Sequence, residues 1–216
     1  MKSVLVIGMG RFGKHVARKM MELNNDVMIV DSNEQIIEEL SSNFTDSHIG
    51  DCTNEAVLRA LGVGNFDICI VAIGNNFQAS LEITSLLKDL GAKYVVSKAS
   101  RDIQAKFLLK NGADEVVYPE REMAEKISVR LSAKNVFDFI ELTPELSIYE
   151  IPICVNWVGK SIGDLEVRSK HHVNILAVKN GNDLKPLPGA EHIFHVNDHI
   201  VVLGKPADVF KLNAKS

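Results

Sequence analysis

The chain has 216 residues, of which 46% are hydrophobic and 24% charged, with a formal net charge of −4; that balance is ordinary for a soluble globular protein and gives no basic footprint for general nucleic-acid binding. No apolar run approaches the roughly 18 residues needed to cross a bilayer, and the N-terminus lacks a signal-peptide pattern. The three cysteines, Cys52, Cys69 and Cys154, are far apart and odd in number, which argues against a disulfide framework or a metal spacing. The chain reads as cytoplasmic.

The apolar run Val4-Leu5-Val6-Ile7 is a buried strand that passes straight into Gly8-Met9-Gly10-Arg11-Phe12-Gly13. Phe12, Val16, Met20 and Leu23 then repeat at helical spacing. In such a turn one glycine makes the tight bend, one lets a pyrophosphate approach the backbone, and one lets the helix pack on the strand. The helix start offers unpaired N–H groups and a positive dipole end to an anion. Val27 to Val30 is a second strand, ending at Asp31, which stands 18 positions after Gly13. That is near the spacing at which an acid accepts from a ribose hydroxyl. The competing reading of Asp31 is a solvated acid capping the next helix, which Ile36, Ile37 and Leu40 mark.

Ser47 to Asp51 reads as a brief third strand, and Thr53 as the N-cap of a helix over Glu55 to Leu61. Asp51 either lines the adenine side of the same crevice or makes an Asx-turn before Thr53. Ile68 to Ala72 is a strongly buried strand in which Cys69 acts as a small core residue. Ala72-Ile73-Gly74-Asn75-Asn76 follows it and borders the crevice with its backbone, the two asparagine side chains being free to cap the next helix. Helices over Phe77 to Leu90 and around Ile103, Phe107 and Leu108 alternate with strands at Tyr94 to Ser97 and Glu115 to Tyr118. The alternation predicts an open parallel sheet with helices on both faces, and a ligand at the carboxyl ends of its strands.

Pro119-Glu120-Arg121-Glu122 opens another helix, with proline and acids where a helix start favours them. Met123, Ile127 and Leu131 form its apolar stripe. Asn135 to Leu142 carries Val136, Phe137, Phe139 and Ile140, an apolar cluster outside any obvious sheet. It is either a buried crossover or a surface covered by another subunit. From Thr143-Pro144 the pattern becomes short and β-rich, with segments at Ser147 to Ile151, Asn174 to Val178 and His199 to Leu203, a hairpin turn at Asn180 to Asp183, and a helical turn or short helix at Ile162 to Arg168. The expected fold class is α/β. A Rossmann-like doubly wound parallel sheet with crossover helices covers residues 1–142, and a small α+β domain covers 143–216, the boundary lying near 140–145. A domain so small gains from pairing with a copy of itself.

Arg11 occupies the unspecified position after the second glycine. An Arg there suits a ligand with extra phosphate charge, read through forked donors. The alternative is a solvated first-turn residue, at an end where the helix dipole disfavours a cation. His171, His172, His192, His195 and His199 match no zinc spacing. No nucleophile–base arrangement and no paired carboxylates stand out, and too little chain follows the nucleotide domain for a dehydrogenase substrate domain.

With these residues laid out, the chain resembles the regulatory subunits of Trk/Ktr-type potassium transport systems, built from an RCK N domain and an RCK C domain. The likeness rests on Val6 to Gly13, Val30-Asp31, Asp67 to Gly74 and Asn111 to Glu120, and then on Val158 to Leu165 and Asn197 to Gly204. It implies a non-enzymatic gating subunit that binds ATP or ADP, or in some relatives NAD(H), and forms an octameric ring of dimer units beneath a membrane-embedded potassium transporter on the inner face of the cell membrane. The nucleotide positions it implies are Gly8, Met9, Gly10, Arg11, Phe12, Gly13, Asp31, Ser32, Asp51, Cys52, Ala72, Ile73, Gly74, Lys98 and Glu120. Arg11 would reach a neighbouring subunit's phosphates, and Glu120 matches a position associated with a cation near the nucleotide. Cyclic di-AMP, bound by the C domain of some relatives, would fall on Arg168, Asn174 and Ile175. The rival classes are a small NAD-dependent oxidoreductase or NADH redox sensor, and a DNA-binding redox repressor, which the acidic balance and the missing helix-turn-helix pattern disfavour.

Overall fold

A strand apolar along its whole length must be covered on both faces. In β1 (Ser3–Ile7), Val4 and Val6 enter one core cluster while Leu5 and Ile7 enter a second, as alternation across a strand requires. The computed structural model describes residues 1–132, 137–143 and 145–214, in two compact units, Met1–Arg121 and Glu122–Ser216.

In the first unit β1 is followed by α1 (Arg11–Glu22), β2 (Asp26–Asp31), α2 (Glu34–Ser41), β3 (Asp46–Ile49) and α3 (Glu55–Leu61). The chain then returns through β4 (Ile68–Val71), α4 (Phe77–Asp89), β5 (Val95–Lys98), α5 (Asp102–Lys110) and β6 (Glu115–Val117). The six strands are parallel and ordered β3-β2-β1-β4-β5-β6. Ala17 of α1 and Ile37 and Leu40 of α2 cover one face; Leu58 of α3 and Ile83 and Leu87 of α4 cover the other. Each such fully buried aliphatic side chain contributes about 1.5–3 kcal/mol relative to exposure. This is the doubly wound sheet expected. Its strand order reverses between β1 and β4, which fixes where a ligand would sit.

One local expectation changes, and two helices that form as expected are largely exposed. Asn54, rather than Thr53, caps α3, its side chain accepting from the Ala56 N–H; Thr53 is held by Asp51 instead. In α5 only Leu108 is fully buried, while Ile103 and Phe107 are about half exposed. The stripe Met123, Ile127 and Leu131 of α6 (Pro119–Ser132), the helix that leads out of the first unit, is exposed.

The second unit adds β7 (Asp138–Thr143), β8 (Leu146–Pro152), α7 (Ile162–Leu165), α8 (Val167–His171), β9 (Asn174–Asn180), β10 (Asp183–Pro186), β11 (His199–Gly204) and α9 (Pro206–Asn213). Its sheet is antiparallel, in the order β10-β9-β11-β8-β7. Tyr149, Ile151, Ile200 and Val202 alternate inward and meet Val167 of α8 and Val209 and Leu212 of α9, with Trp157 and Phe194 filling the space between. Glu166, at φ +47°, breaks the expected single helical segment into α7 and α8. The Asn180–Asp183 hairpin forms as expected, with Gly181 at φ +58°. The segment read as lying outside any sheet contributes β7, an edge strand paired antiparallel with β8; Asn135 and Val136 of that expectation lie outside the described residues. The two units meet in sequence at Arg121/Glu122, upstream of the composition change near 140–145.

Candidate functional site

The three glycines of the first turn answer to different constraints. Gly8 lies at φ +95°, a region favouring glycine, and its N–H donates to the Val30 carbonyl at 2.8 Å. A Cβ on Gly13 would collide with the Gly8 carbonyl oxygen and stand 3.2 Å from the Ala72 Cβ. Helix α1 therefore packs against the strand ends only because that side chain is missing. Gly10, at φ −66° and ψ −174°, is in extended backbone, and a Cβ there would meet nothing within 4 Å. Nothing in the chain itself demands glycine at 10. The open space beside its backbone is the approach a pyrophosphate uses. No side chain caps α1 and no acid sits in its first turn, which leaves its first N–H groups for an outside anion.

Asp31 ends β2 and turns back to this loop. Its Oδ2 accepts the Met9 N–H at 2.6 Å and its Oδ1 the Asn33 N–H at 2.8 Å. A carboxylate has about four acceptor sites, so both oxygens keep capacity for ribose hydroxyls. Asn33, not Asp31, caps α2. Beyond β3, Asp51 Oδ1 accepts the Thr53 N–H at 3.0 Å and the Thr53 hydroxyl at 2.8 Å. Those bonds, the backbone one foremost, hold its carboxyl below the usual range. Asp51 makes the Asx-turn and also lines the cleft. Burial, with the charges of Asp51 and Asp31, pushes the Cys52 thiol up to about 12. Cys52 is thus a neutral wall and not a nucleophile.

On the other side of the glycine turn, Lys98 Nζ donates to Glu120 Oε1 at 2.7 Å and lies 5.7 Å from the Phe12 ring centroid. That hydrogen bond, aided by the Lys98 and Arg11 charges, holds the Glu120 carboxyl below its usual range. Asn76 caps α4, accepting the Ala79 N–H at 3.1 Å. Together these groups enclose a cleft of about 1010 Å³, at the upper end of small-molecule pockets.

Gly8, Gly10, Arg11, Phe12, Asp31, Ser32, Asp51, Cys52, Ala72, Ile73, Gly74, Lys98 and Glu120 all line this one cleft. Met9 and Gly13 do not line it; both are buried behind it, where they shape the turn. The sequence reading missed Gly50, Thr53, Gln78, Glu82 and Ser100 as walls. Gln78 and Glu82 are joined at 2.8 Å, one helical turn apart on α4, and that spacing after the fourth strand was the available signal. Of the second-ligand residues, Arg168 is exposed on α8 and Asn174 at the start of β9, while Ile175 packs partly on the core of its unit. His199 Nδ1 lies 3.1 Å from Glu150 Oε1 and its ring stacks on Phe137 at 4.3 Å between centroids. Among the described residues no three His, Cys, Asp or Glu side chains gather where a metal could be held.

The walls fit a nucleotide. The space at Gly10 admits a phosphate, Asp31 keeps acceptors for a ribose, and Lys98 and Arg11 supply positive charge. Residues 4–119 match the model of the TrkA-N domain, and residues 146–215 that of the TrkA-C domain. The chain is 38% identical over 99% of its length to Ktr system potassium uptake protein C of Bacillus subtilis (strain 168), covering 97% of that protein. It is 38% identical over 96% of its length to Ktr system potassium uptake protein A of the same organism, covering 94% of it. Among solved structures it superposes on the GsuK channel bound to NAD with a TM-score of 0.70 at 19% identity, covering 99% of this chain and 39% of that one. A structure of GsuK bound to ADP matches 60% of this chain and 34% of its own, with a TM-score of 0.53 at 19% identity. The chain spans less than half the length of these GsuK structures, and the likeness to them establishes the fold.

Proposed function

The chain belongs to the family of Trk/Ktr potassium uptake proteins built from a TrkA-N and a TrkA-C domain, and we propose that it is the nucleotide-binding regulatory subunit of such a system. The observation that carries this reading is the cleft at the switch point, with open space beside the Gly10 backbone and the Asp31 carboxylate tied to the same turn. The relatives' names supply potassium uptake, and the GsuK structures supply NAD and ADP as nucleotides that this fold holds. In this chain ATP or ADP is the ligand proposed, with NAD(H) as the competing nucleotide.

The ribose would rest on Asp31, the phosphates on the Gly10 backbone and the start of α1, and the base against Cys52. Glu120 is the candidate for a cation beside the phosphates. The nucleotide supplies charge that differs between its forms, and no bond need be made or broken. Two nucleotides shift a conformational equilibrium only if one makes a contact that exists in a single conformation, and a coupling of about 1–3 kcal/mol is typical of such control. Arg11, exposed in the first turn of α1, is proposed to make that contact on a neighbouring subunit's phosphates. A homo-oligomeric ring on the cytoplasmic face of a membrane-embedded potassium transporter is part of the same proposal. Its support is the apolar surface left exposed at Met123, Ile127 and Leu131 of α6 and at Phe137, Ile140 and Leu142 in and before β7, since patches of this kind mark interaction surfaces. No helix among the described residues is long and apolar enough to cross a membrane.

The test is to identify by mass spectrometry the ligand retained on purification, and to express the chain with a candidate membrane subunit in cells unable to take up potassium. An adenine nucleotide and growth at limiting potassium only when both chains are present are expected. Turnover of NADH with a carbonyl substrate would instead make the protein an oxidoreductase.

A further inference from the structure

Helix α1 carries Arg11, Lys14, Arg18 and Lys19 against a single acid, Glu22, whereas α2 carries Glu34, Glu38 and Glu39 and no lysine or arginine. The two helices cover the same face of the parallel sheet through Val16, Ala17, Ile37 and Leu40. On their outer side Arg18, Glu34, Glu38 and Glu39 are exposed and Lys14 is half-buried. Lys19 is paired with Glu22 at 2.9 Å. Among the described residues the side chains of Lys14, Arg18, Glu34, Glu38 and Glu39 take part in no ion pair or hydrogen bond. Other helical segments pair their charges within a turn, as Arg59 does with Glu55, Lys170 with Glu166 and Lys211 with Asp208. Lys14 and Arg18 stand one turn apart, and so do Glu34 and Glu38. Each helix therefore bears a repulsion between like charges that nothing in the chain offsets.

We propose that these two stripes meet between copies of the chain, Lys14 and Arg18 of one copy against Glu34 and Glu38 of the next. This rests on the oligomeric reading above and adds to its apolar surface a second, polar contact, as a ring assembled from dimer units requires. The spacing is four residues on both helices, a rise of about 6 Å, so both charges of one stripe engage both charges of the other. An acidic peptide or an anionic membrane would account for α1 and leave the acids of α2 unexplained. A second copy accounts for both, since every copy offers each stripe. Arg11, which lines the cleft, is not needed for this contact. Exposed charges are screened over about 8–10 Å at ordinary ionic strength, so the contact steers association and weakens as salt rises.

Sedimentation of the full chain tests this on two charge-reversed variants, Lys14→Glu with Arg18→Glu and Glu34→Lys with Glu38→Lys. Each variant alone sets like charges against each other and is expected to weaken association about tenfold or more, leaving smaller species than wild type. Mixed in equal amounts, the two variants restore opposite charges at every contact, and the wild-type species returns. Raising salt from about 50 mM to about 500 mM weakens wild-type association in the same direction. Thermal unfolding reports that each variant is folded, and recovery on mixing excludes a loss caused by misfolding. A mixture no larger than its separate components overturns the proposal. So does an α2 reversal that leaves association intact while the α1 reversal weakens it, which would assign α1 to an acidic partner of another kind. A wild-type chain that is monomeric in both salts overturns the oligomeric reading itself, a result distinct from an assembly that both reversals leave unchanged.

Discussion

Replacing Gly13 with alanine puts a methyl group onto the Gly8 carbonyl oxygen, 3.1 Å from the carbonyl carbon and 3.2 Å from the Ala72 Cβ. Neither neighbour is free to yield. The Gly8 N–H is tied to Val30 at 2.8 Å and the Ala72 N–H to Ile7 at 2.8 Å, so α1 must lift from the sheet. Overpacking costs about 1–3 kcal/mol, and a backbone collision belongs at the upper end. At roughly 2–4 °C per kcal/mol for a chain of this size, the melting temperature falls by about 6–12 °C. Gly10→Ala is the contrasting variant, because its methyl meets no atom within 4 Å and φ −66° suits any residue. Losing a favoured N-cap costs about 0.5–1 kcal/mol, and a stiffer unfolded chain returns about 0.4–1 kcal/mol. Its melting temperature should therefore stay within about 2 °C of wild type. Its methyl nevertheless fills the side from which a pyrophosphate would come, and losing even one charge-assisted hydrogen bond lowers nucleotide affinity about tenfold. Scanning calorimetry and nucleotide titration of the two variants check this. Wild-type stability in Gly13→Ala, or wild-type affinity in Gly10→Ala, would refute the reasoning.

Asp31→Asn presents an amide N–H₂ to one of the two backbone donors that the carboxylate now satisfies; faster hydrogen exchange at Met9 or Asn33 and at least about tenfold weaker nucleotide binding are expected, and unchanged exchange at both amides contradicts the assigned role. The Asp67 carboxyl, hydrogen-bonded by the Ser3 N–H and paired with Lys93, is held at about 2 against an ordinary 3.8. A depressed folded value means that its stabilisation is complete above 3.8 and is lost as the pH falls toward about 2. The melting temperature of Asp67→Asn should therefore fall less steeply across that window than that of wild type. Cys52, Cys69 and Cys154 are free and buried, and burial pushes the first two thiols up to about 12. A disulfide reagent at neutral pH should label none of them rapidly until the chain is unfolded; fast native labelling of any one contradicts that.

The parallel sheet was legible because its strands are buried on both sides and punctuated by glycines at 8, 62, 74, 91 and 112. The helix over Glu55–Leu61 was legible too, though its cap was not: Thr53 has the right chemistry but is already engaged by Asp51, a contact set by the path of the loop. Strand β7 gave no alternating signal, since Phe139 is the one half-buried residue in an otherwise exposed edge. Of the cleft, the glycine turn and Asp31 followed from spacing. Lys98 came only through family resemblance, because its pairing with Glu120 spans 22 positions that close up only when β5 and β6 lie side by side. Gln78 and Glu82 carried only their spacing after the fourth strand, Ser100 belongs to no motif, and the assembled sheet brings all three to the same opening.

The grip of Asp31 on the Met9 N–H also has a consequence in time. The chain's own carboxylate braces the turn, so an arriving nucleotide has little of it to order and little entropy is lost on contact. Exchange between ligands is then governed by encounter and by departure from the cleft, with no loop-folding step between them. A sensor of this kind follows the supply of its ligand as fast as the ligand can leave.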